Sequence, residues 1–90
     1  MQEYNYKTKG VCSKRIQFAV EKGVLAKVRF ESGCDGNLQG ISRLVEGMTV
    51  AEVIQRLQGI RCNGKNTSCP DQLARALQAT VATDTDNQTA

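Results

Sequence analysis

Four cysteines are the feature that most constrains how this chain can fold. The chain has 90 residues, no tryptophan, two phenylalanines and two tyrosines. A domain of this length buries only a modest fraction of its surface, so its stability is expected to be marginal without a further staple. The four thiols are the candidates for such a staple: Cys12, Cys34, Cys62 and Cys69.

The expected role of these thiols depends on whether the protein is in a reducing or an oxidising compartment. Residues 1–10 contain no apolar stretch of the kind a secretory leader needs, and no run approaches the roughly 20 apolar residues that cross a membrane. We therefore expect a cytoplasmic protein that does not bind membranes and whose thiols stay reduced. In a reducing compartment, an even number of cysteines favours a metal site or redox chemistry over a disulfide framework.

Charge and composition argue against several other functions. The formal net charge is +3, and the basic residues are interspersed with acidic ones instead of forming a stripe with aromatic residues. This pattern predicts no direct binding of nucleic acid. The chain has no histidine, so it lacks a Ser–His or Cys–His dyad, and we expect no independent catalysis.

Apolar residues alternate with polar ones in the first half of the chain. The alternation predicts three strands at about 3–8, 14–21 and 24–31, and Gly23 supplies the positive φ that a tight turn between the last two requires. The second half changes to helical spacing and predicts three helices, the first two ending at Gly47 and Gly59. Thr49, followed three residues later by Glu52, predicts a capping box at the start of the second helix.

This order of elements predicts an α+β fold, in which three helices cover one face of a three-stranded antiparallel sheet. We expect one domain over residues 1–82 and a disordered tail over 83–90, which has no large apolar residue to anchor it. The predicted core consists of Ile16, Phe18, Val28, Phe30, Leu44, Ile54, Leu57 and Leu77.

The cysteines lie outside these elements or at their edges. Cys12 precedes the hairpin, and Cys34 lies between the last strand and the first helix. Cys62 follows the second helix, and Cys69 immediately precedes the third. A helix N-terminus stabilises the thiolate that binds metal, and both Cys34 and Cys69 occupy such a position. There is no C-x-x-C pair, so spacing alone leaves a metal or redox site, ordinary buried thiols and a disulfide all open.

Residues 64–73 resemble the hallmark of the TSCPD family, which is named for the pentapeptide found here at 67–71. Residues 6–13 and 33–42 are also similar to that family, so the resemblance covers about residues 3–80. The family occurs as short bacterial proteins and as a domain appended to adenosylcobalamin-dependent ribonucleotide reductases. The resemblance implies association with such a reductase, and it motivates an alternative function. In that alternative the protein is a thiol redox or regulatory partner of the reductase, and Cys62 and Cys69 shuttle between dithiol and disulfide.

The chain also resembles, more distantly, the scaffold proteins of iron–sulfur cluster assembly. Cys12, Cys34 and Cys69 occupy the places of the three cysteines of that family. The chain departs from the pattern of that family at two positions. Lys14 replaces an aspartate, and Ser68 replaces a residue that is often histidine.

The resemblance implies a metal site to which Cys62 would add a fourth sulfur beside Cys12, Cys34 and Cys69. A soft set of four thiolates selects zinc or an iron–sulfur cluster. The preferred function is therefore a metal-binding accessory module, with a metal ion or cluster as ligand and a cluster-donor protein or ribonucleotide reductase as partner. We expect the sulfurs of the three scaffold-like cysteines to lie within a few Å of one another, with Cys62 near enough to join them.

Overall fold

The computed structural model describes residues 2–11, 13–31, 35–62 and 64–82. The elements are β1 (Gln2–Lys7), β2 (Arg15–Glu21), β3 (Val24–Glu31), α1 (Asp35–Val45), α2 (Val50–Leu57) and α3 (Cys69–Leu77), followed by a π-helical turn over Gln78–Ala82. The predicted α+β fold, a three-stranded antiparallel sheet with three helices, is confirmed. The predicted tail at 83–90 lies outside the described residues.

The sheet is a meander in the order β1-β2-β3, with both neighbouring pairs antiparallel. Lys22 and Gly23 form the β2–β3 turn with φ of 53° and 78°, the two positive values that a two-residue hairpin of this hand requires. The register between β2 and β3 shifts between Ala19 and Val20, because β3 carries one extra residue, Ala26, opposite this step. Ala19 and Val20 are both buried, so strict alternation does not hold beside the shift.

The helices begin and end where the sequence indicates. The hydroxyl of Thr49 accepts a hydrogen bond from the Glu52 amide at 3.2 Å, as expected of the predicted N-cap. Gly47 and Gly59 follow the first two helices with φ of 94° and 82°, values that favour glycine at a helix C-terminus. The boundaries of α2 are thus determined by local chemistry.

The core lies between one face of the sheet and the helices. Of the predicted core, Ile16, Phe18, Val28 and Leu77 are buried, and Phe30, Ile54 and Leu57 are partly buried. The prediction was wrong for Leu44, whose surface is 78% exposed.

The error at Leu44 has a geometric cause. Leu38, Ile41 and Val45 form the stripe of α1 that faces the core. Leu44 follows Ile41 at helical spacing, but each residue turns the helix by about 100°, which carries its side chain well away from Val45 and out of the stripe.

Within the described part of the chain, every helix is too short or too polar to cross a lipid bilayer.

Candidate functional site

Three chain segments meet at one end of the sheet, where the cysteine-bearing loops begin. The amide of Lys14 donates to the carbonyl of Glu31 at 2.7 Å, and the amide of Thr8 donates to the carbonyl of Lys14 at 3.1 Å. The chain leaving β1, the chain entering β2 and the end of β3 are therefore adjacent. Cys12 and Cys34 themselves lie outside the described residues; in the sequence they are two residues before Lys14 and three after Glu31.

Helix α3 begins at this same end of the sheet. The hydroxyl of Ser13 and the thiol of Cys69, both buried, lie 3.2 Å apart. Thr8 fixes the loop that carries Ser13, because its buried hydroxyl donates to the Ser13 carbonyl. The residue that follows Cys12 in the chain thus contacts Cys69 directly.

The start of α3 is stabilised by its own cap. Ser68 is the N-cap, and its hydroxyl accepts from the Asp71 amide at 3.1 Å. Pro70 occupies the first turn, where a missing amide hydrogen costs nothing. These contacts hold Cys69 at the N-terminus of the helix.

Asp71 is the centre of a buried polar network behind Cys69. Its carboxylate is 2% exposed and accepts hydrogen bonds from the Thr67 hydroxyl and, at 2.7 Å, from the Gly59 amide. Arg75, one turn further along α3, pairs with it at 2.8 Å. Burial alone would raise the pKa of Asp71, but the bonds from Thr67 and Gly59 and the charge of Arg75 outweigh burial and hold that pKa below its ordinary value. Asp71 is therefore ionised, and its carboxylate is engaged by Thr67, Gly59 and Arg75.

Gln72 connects this network to the loop between β1 and β2. Its side-chain amide donates to the Thr67 hydroxyl at 2.9 Å, and its side-chain oxygen accepts from the Lys9 amide at 3.1 Å. The sequence alone did not predict that Thr67, Asp71 and Gln72 form a hydrogen-bonded network. The one available signal was the spacing of four residues from Thr67 to Asp71 and again to Arg75, which stacks their side chains on one side of the turn.

Cys62 lies on an exposed loop that folds back towards Cys69. Its amide donates to the Thr67 carbonyl at 3.3 Å, and its carbonyl accepts from the Lys65 amide at 2.9 Å. Cys62 is exposed and Cys69 is buried, and both are free thiols. The structure therefore has one accessible thiol on the loop that leads directly into the buried one.

Among residues 2–11, 13–31, 35–62 and 64–82, no three cysteine, aspartate or glutamate side chains are grouped so as to hold a metal ion. Two of the four predicted ligands, Cys12 and Cys34, are outside these ranges, so the four-cysteine site stays a prediction. The donor chemistry fits a soft metal, because the chain has no imidazole and the buried carboxylate nearest to Cys69 in sequence is engaged elsewhere.

Comparison with known families gives a match over most of the chain. The model of the TSCPD domain matches residues 2–81. No curated protein and no solved structure matches the chain. The likeness to iron–sulfur scaffold proteins thus remains a prediction from sequence.

Proposed function

The chain belongs to the TSCPD domain family, and on that premise we propose that it is a metal-binding accessory module whose ligands are Cys12, Cys34, Cys62 and Cys69. The observation that carries the proposal is the distance of 3.2 Å between the Ser13 hydroxyl and the Cys69 thiol. Cys12 directly precedes Ser13 in the sequence, which is why we include it among the proposed ligands.

The position of Cys34 in the chain supports the same grouping. It follows Glu31 by three residues, and three residues of extended chain span at most about 11 Å. Glu31 accepts the Lys14 amide at the end of the sheet where the Ser13 contact lies. We therefore include Cys34, which directly precedes α1 in the sequence, among the proposed ligands.

A set of four thiolates selects zinc or an iron–sulfur cluster. The bound metal would join the end of the sheet to the start of α3. Cys62 is exposed whereas Cys69 is buried, so of these two ligands Cys62 is the more open to exchange, as a cluster-accepting module would require. We propose a cytoplasmic location and, from the family association, a ribonucleotide reductase or a cluster-donor protein as partner.

The first test is the metal content of the protein purified without oxygen. We expect close to one zinc ion or one cluster per chain, with visible absorption distinguishing the two. Replacing Cys12, Cys34 or Cys69 singly by serine should remove at least half of the metal, because a hard hydroxyl is a poor ligand in a soft site.

The matched control is Ser13→Ala. It removes the hydroxyl beside Cys69 and leaves all four thiols in place, so it should retain its metal. Metal-free wild-type protein, or metal content that does not depend on the cysteines, would contradict the proposal.

The exposure of Cys62 also favours a second candidate, a dithiol redox partner of the reductase. The Cys62 thiolate would attack a partner's disulfide and displace one of its thiolates. Cys69 would then attack the mixed disulfide, releasing the partner as a dithiol and leaving a Cys62–Cys69 disulfide. Metal-free protein that forms this bond with an oxidised dithiol, as mapped by peptide mass spectrometry, would favour the redox candidate.

A further inference from the structure

We propose that the thiol end of the fold selects a protein partner with an acidic surface. Four exposed cations lie on the segments that meet at this end, and we call them the basic collar: Arg61 and Lys65 on the loop that carries Cys62, and Lys9 and Lys14 on the chain between β1 and β2. The inference rests on the proposed function, since the partner is the protein that exchanges metal or electrons at Cys62. It adds the chemistry by which that partner is recognised.

The backbone positions of the collar on the sheet side are fixed by hydrogen bonds. The Lys9 amide donates to the side chain of Gln72 in α3. The Lys14 amide donates to Glu31, and Lys14 follows the residue that contacts Cys69. Both lysines are therefore attached to the same end of the sheet as the buried thiol.

The other half of the collar is attached to Cys62 itself. Arg61 precedes Cys62 in the chain, and the Lys65 amide donates to the Cys62 carbonyl. Because the Cys62 amide in turn bonds to Thr67, this loop lies against the segment that opens α3. Arg61 and Lys65 are therefore the cations that lie nearest to the Cys62 thiol along the chain.

Within the described ranges, the acidic side chains near the collar pair with cations outside it. Glu31 pairs with Arg15 at 3.2 Å, and the buried Asp71 pairs with Arg75. Among the described residues, none of the four collar cations forms an ion pair, in contrast to the Glu52–Arg56 pair on α2. Like charges gathered without counter-charges attract anions from solution and speed the association of an oppositely charged partner.

The collar also outweighs the formal charge of the proposed metal site. Four thiolates around Zn²⁺ carry a formal charge of about −2, and the four collar cations exceed it. By formal charge, the four thiolates, Zn²⁺ and the collar together are therefore net positive, so the proposed attraction for anionic partners also applies to the loaded site.

An acidic protein surface fits the collar better than a nucleic acid does. Sites for single-stranded nucleic acid combine cations with exposed aromatic rings on which bases stack. Tyr4 and Tyr6 are instead partly buried against the core, and Tyr4 stacks on Phe18 with ring centroids 5.2 Å apart. The collar thus supplies charge without a stacking platform.

The test measures how fast Cys62 reacts with disulfides of opposite charge. Metal-free, full-length protein is treated with the dianionic disulfide of thionitrobenzoate or with cationic cystamine, and adducts on the Cys62 peptide are counted by mass spectrometry. In each reaction the Cys62 thiolate attacks one sulfur and the other leaves as a thiolate. Each rate is divided by the rate of free cysteine, to remove the reagent's intrinsic reactivity.

We expect the normalised rate with the anionic disulfide to exceed that with the cationic one about tenfold at low salt. The difference should disappear as salt is raised from about 0.01 M to about 1 M. A ratio near one at low salt would overturn the proposal. Because the measurement uses metal-free protein, this outcome is distinct from a failure of the metal proposal.

Paired charge reversals locate the effect. In the double variant Lys14→Glu, Lys65→Glu, the ratio of the anionic to the cationic normalised rate should fall to about one or below, as expected when nearby charges are reversed. The control double variant Lys27→Glu, Arg43→Glu changes the net charge by the same amount at positions outside the collar. It should leave most of the preference for the anionic disulfide intact. An equal loss in both variants would overturn the proposal, because the preference would then reflect net charge alone.

A competition experiment identifies the source of negative charge. An oligoglutamate peptide should slow the anionic modification of Cys62 more than a single-stranded oligonucleotide of equal charge. Stronger protection by the oligonucleotide would overturn the proposal in favour of nucleic acid.

Discussion

Replacing Asp71 by alanine should lower the free energy of unfolding by about 3 kcal/mol, as expected when a buried, hydrogen-bonded charge is removed from its partners. The substitution leaves the Gly59 amide and the Thr67 hydroxyl without their acceptor. The lost ion pair with Arg75 accounts for a smaller part of the loss in unfolding free energy, since the Arg75 side chain is 51% exposed and water replaces its partner. Urea denaturation followed by circular dichroism measures the change.

Two further variants separate the parts of this effect. Asp71→Asn keeps an oxygen for the Gly59 amide and should cost less than alanine. Arg75→Ala should cost less than about 1 kcal/mol, as is usual for a solvent-exposed ion pair. A change of less than about 0.5 kcal/mol for Asp71→Ala would show that the network does not stabilise α3.

The same network makes stability depend on pH, with a definite sign. The pKa of Asp71 is lower in the folded protein than its ordinary value of 3.8, so the unfolded chain binds more protons when the pH is near that value. Its contribution is therefore present above the unfolded pKa and is lost as the pH falls through the folded pKa. Wild-type protein should lose stability more steeply than Asp71→Asn between about pH 5 and about pH 2. Parallel slopes would contradict the lowered pKa.

Removing the proposed metal should lower the melting temperature by at least about 10 °C. Binding to a thiolate site adds its free energy to folding, and a loss of about 2 kcal/mol shifts the melting point of a domain of this size by roughly that amount. Calorimetry in reducing buffer, before and after a strong chelator, measures the shift, and added metal should reverse it.

A cysteine variant serves as the control for chelation. Cys12→Ser combined with Cys69→Ser should melt at the same temperature with and without chelator, because it has no site to lose. An unchanged melting temperature in the wild type would mean that the metal has no structural role.

The sequence predicts the strands and helices closely because their signals are local. Alternation specifies β2 and β3, and Thr49 and Ser68 specify where α2 and α3 begin. The failures have a different physical origin. Ala19 is buried beside the register shift between β2 and β3, where strict alternation does not hold, and Leu44 is exposed because its position on α1 falls outside the core stripe.

The candidate site is only partly readable from sequence, since it depends on contacts between distant segments. Topology predicts that α3 starts near the beginning of the hairpin, and the contact between Ser13 and Cys69 is consistent with that prediction. No local pattern indicates that Gln72 would bind the Lys9 amide, 63 positions away in the chain. The convergence of all four thiols also depends on contacts between distant segments, and it stays a prediction.

X-ray absorption at the metal edge of anaerobically purified protein tests that convergence most directly, because it counts the atoms bound to the metal. The proposal predicts a single shell of four sulfurs, at about 2.3 Å if the metal is zinc. The shell should lose one sulfur in a Cys62→Ser variant that retains metal. Protein without metal, or a shell of nitrogen and oxygen atoms, would contradict the four-cysteine site.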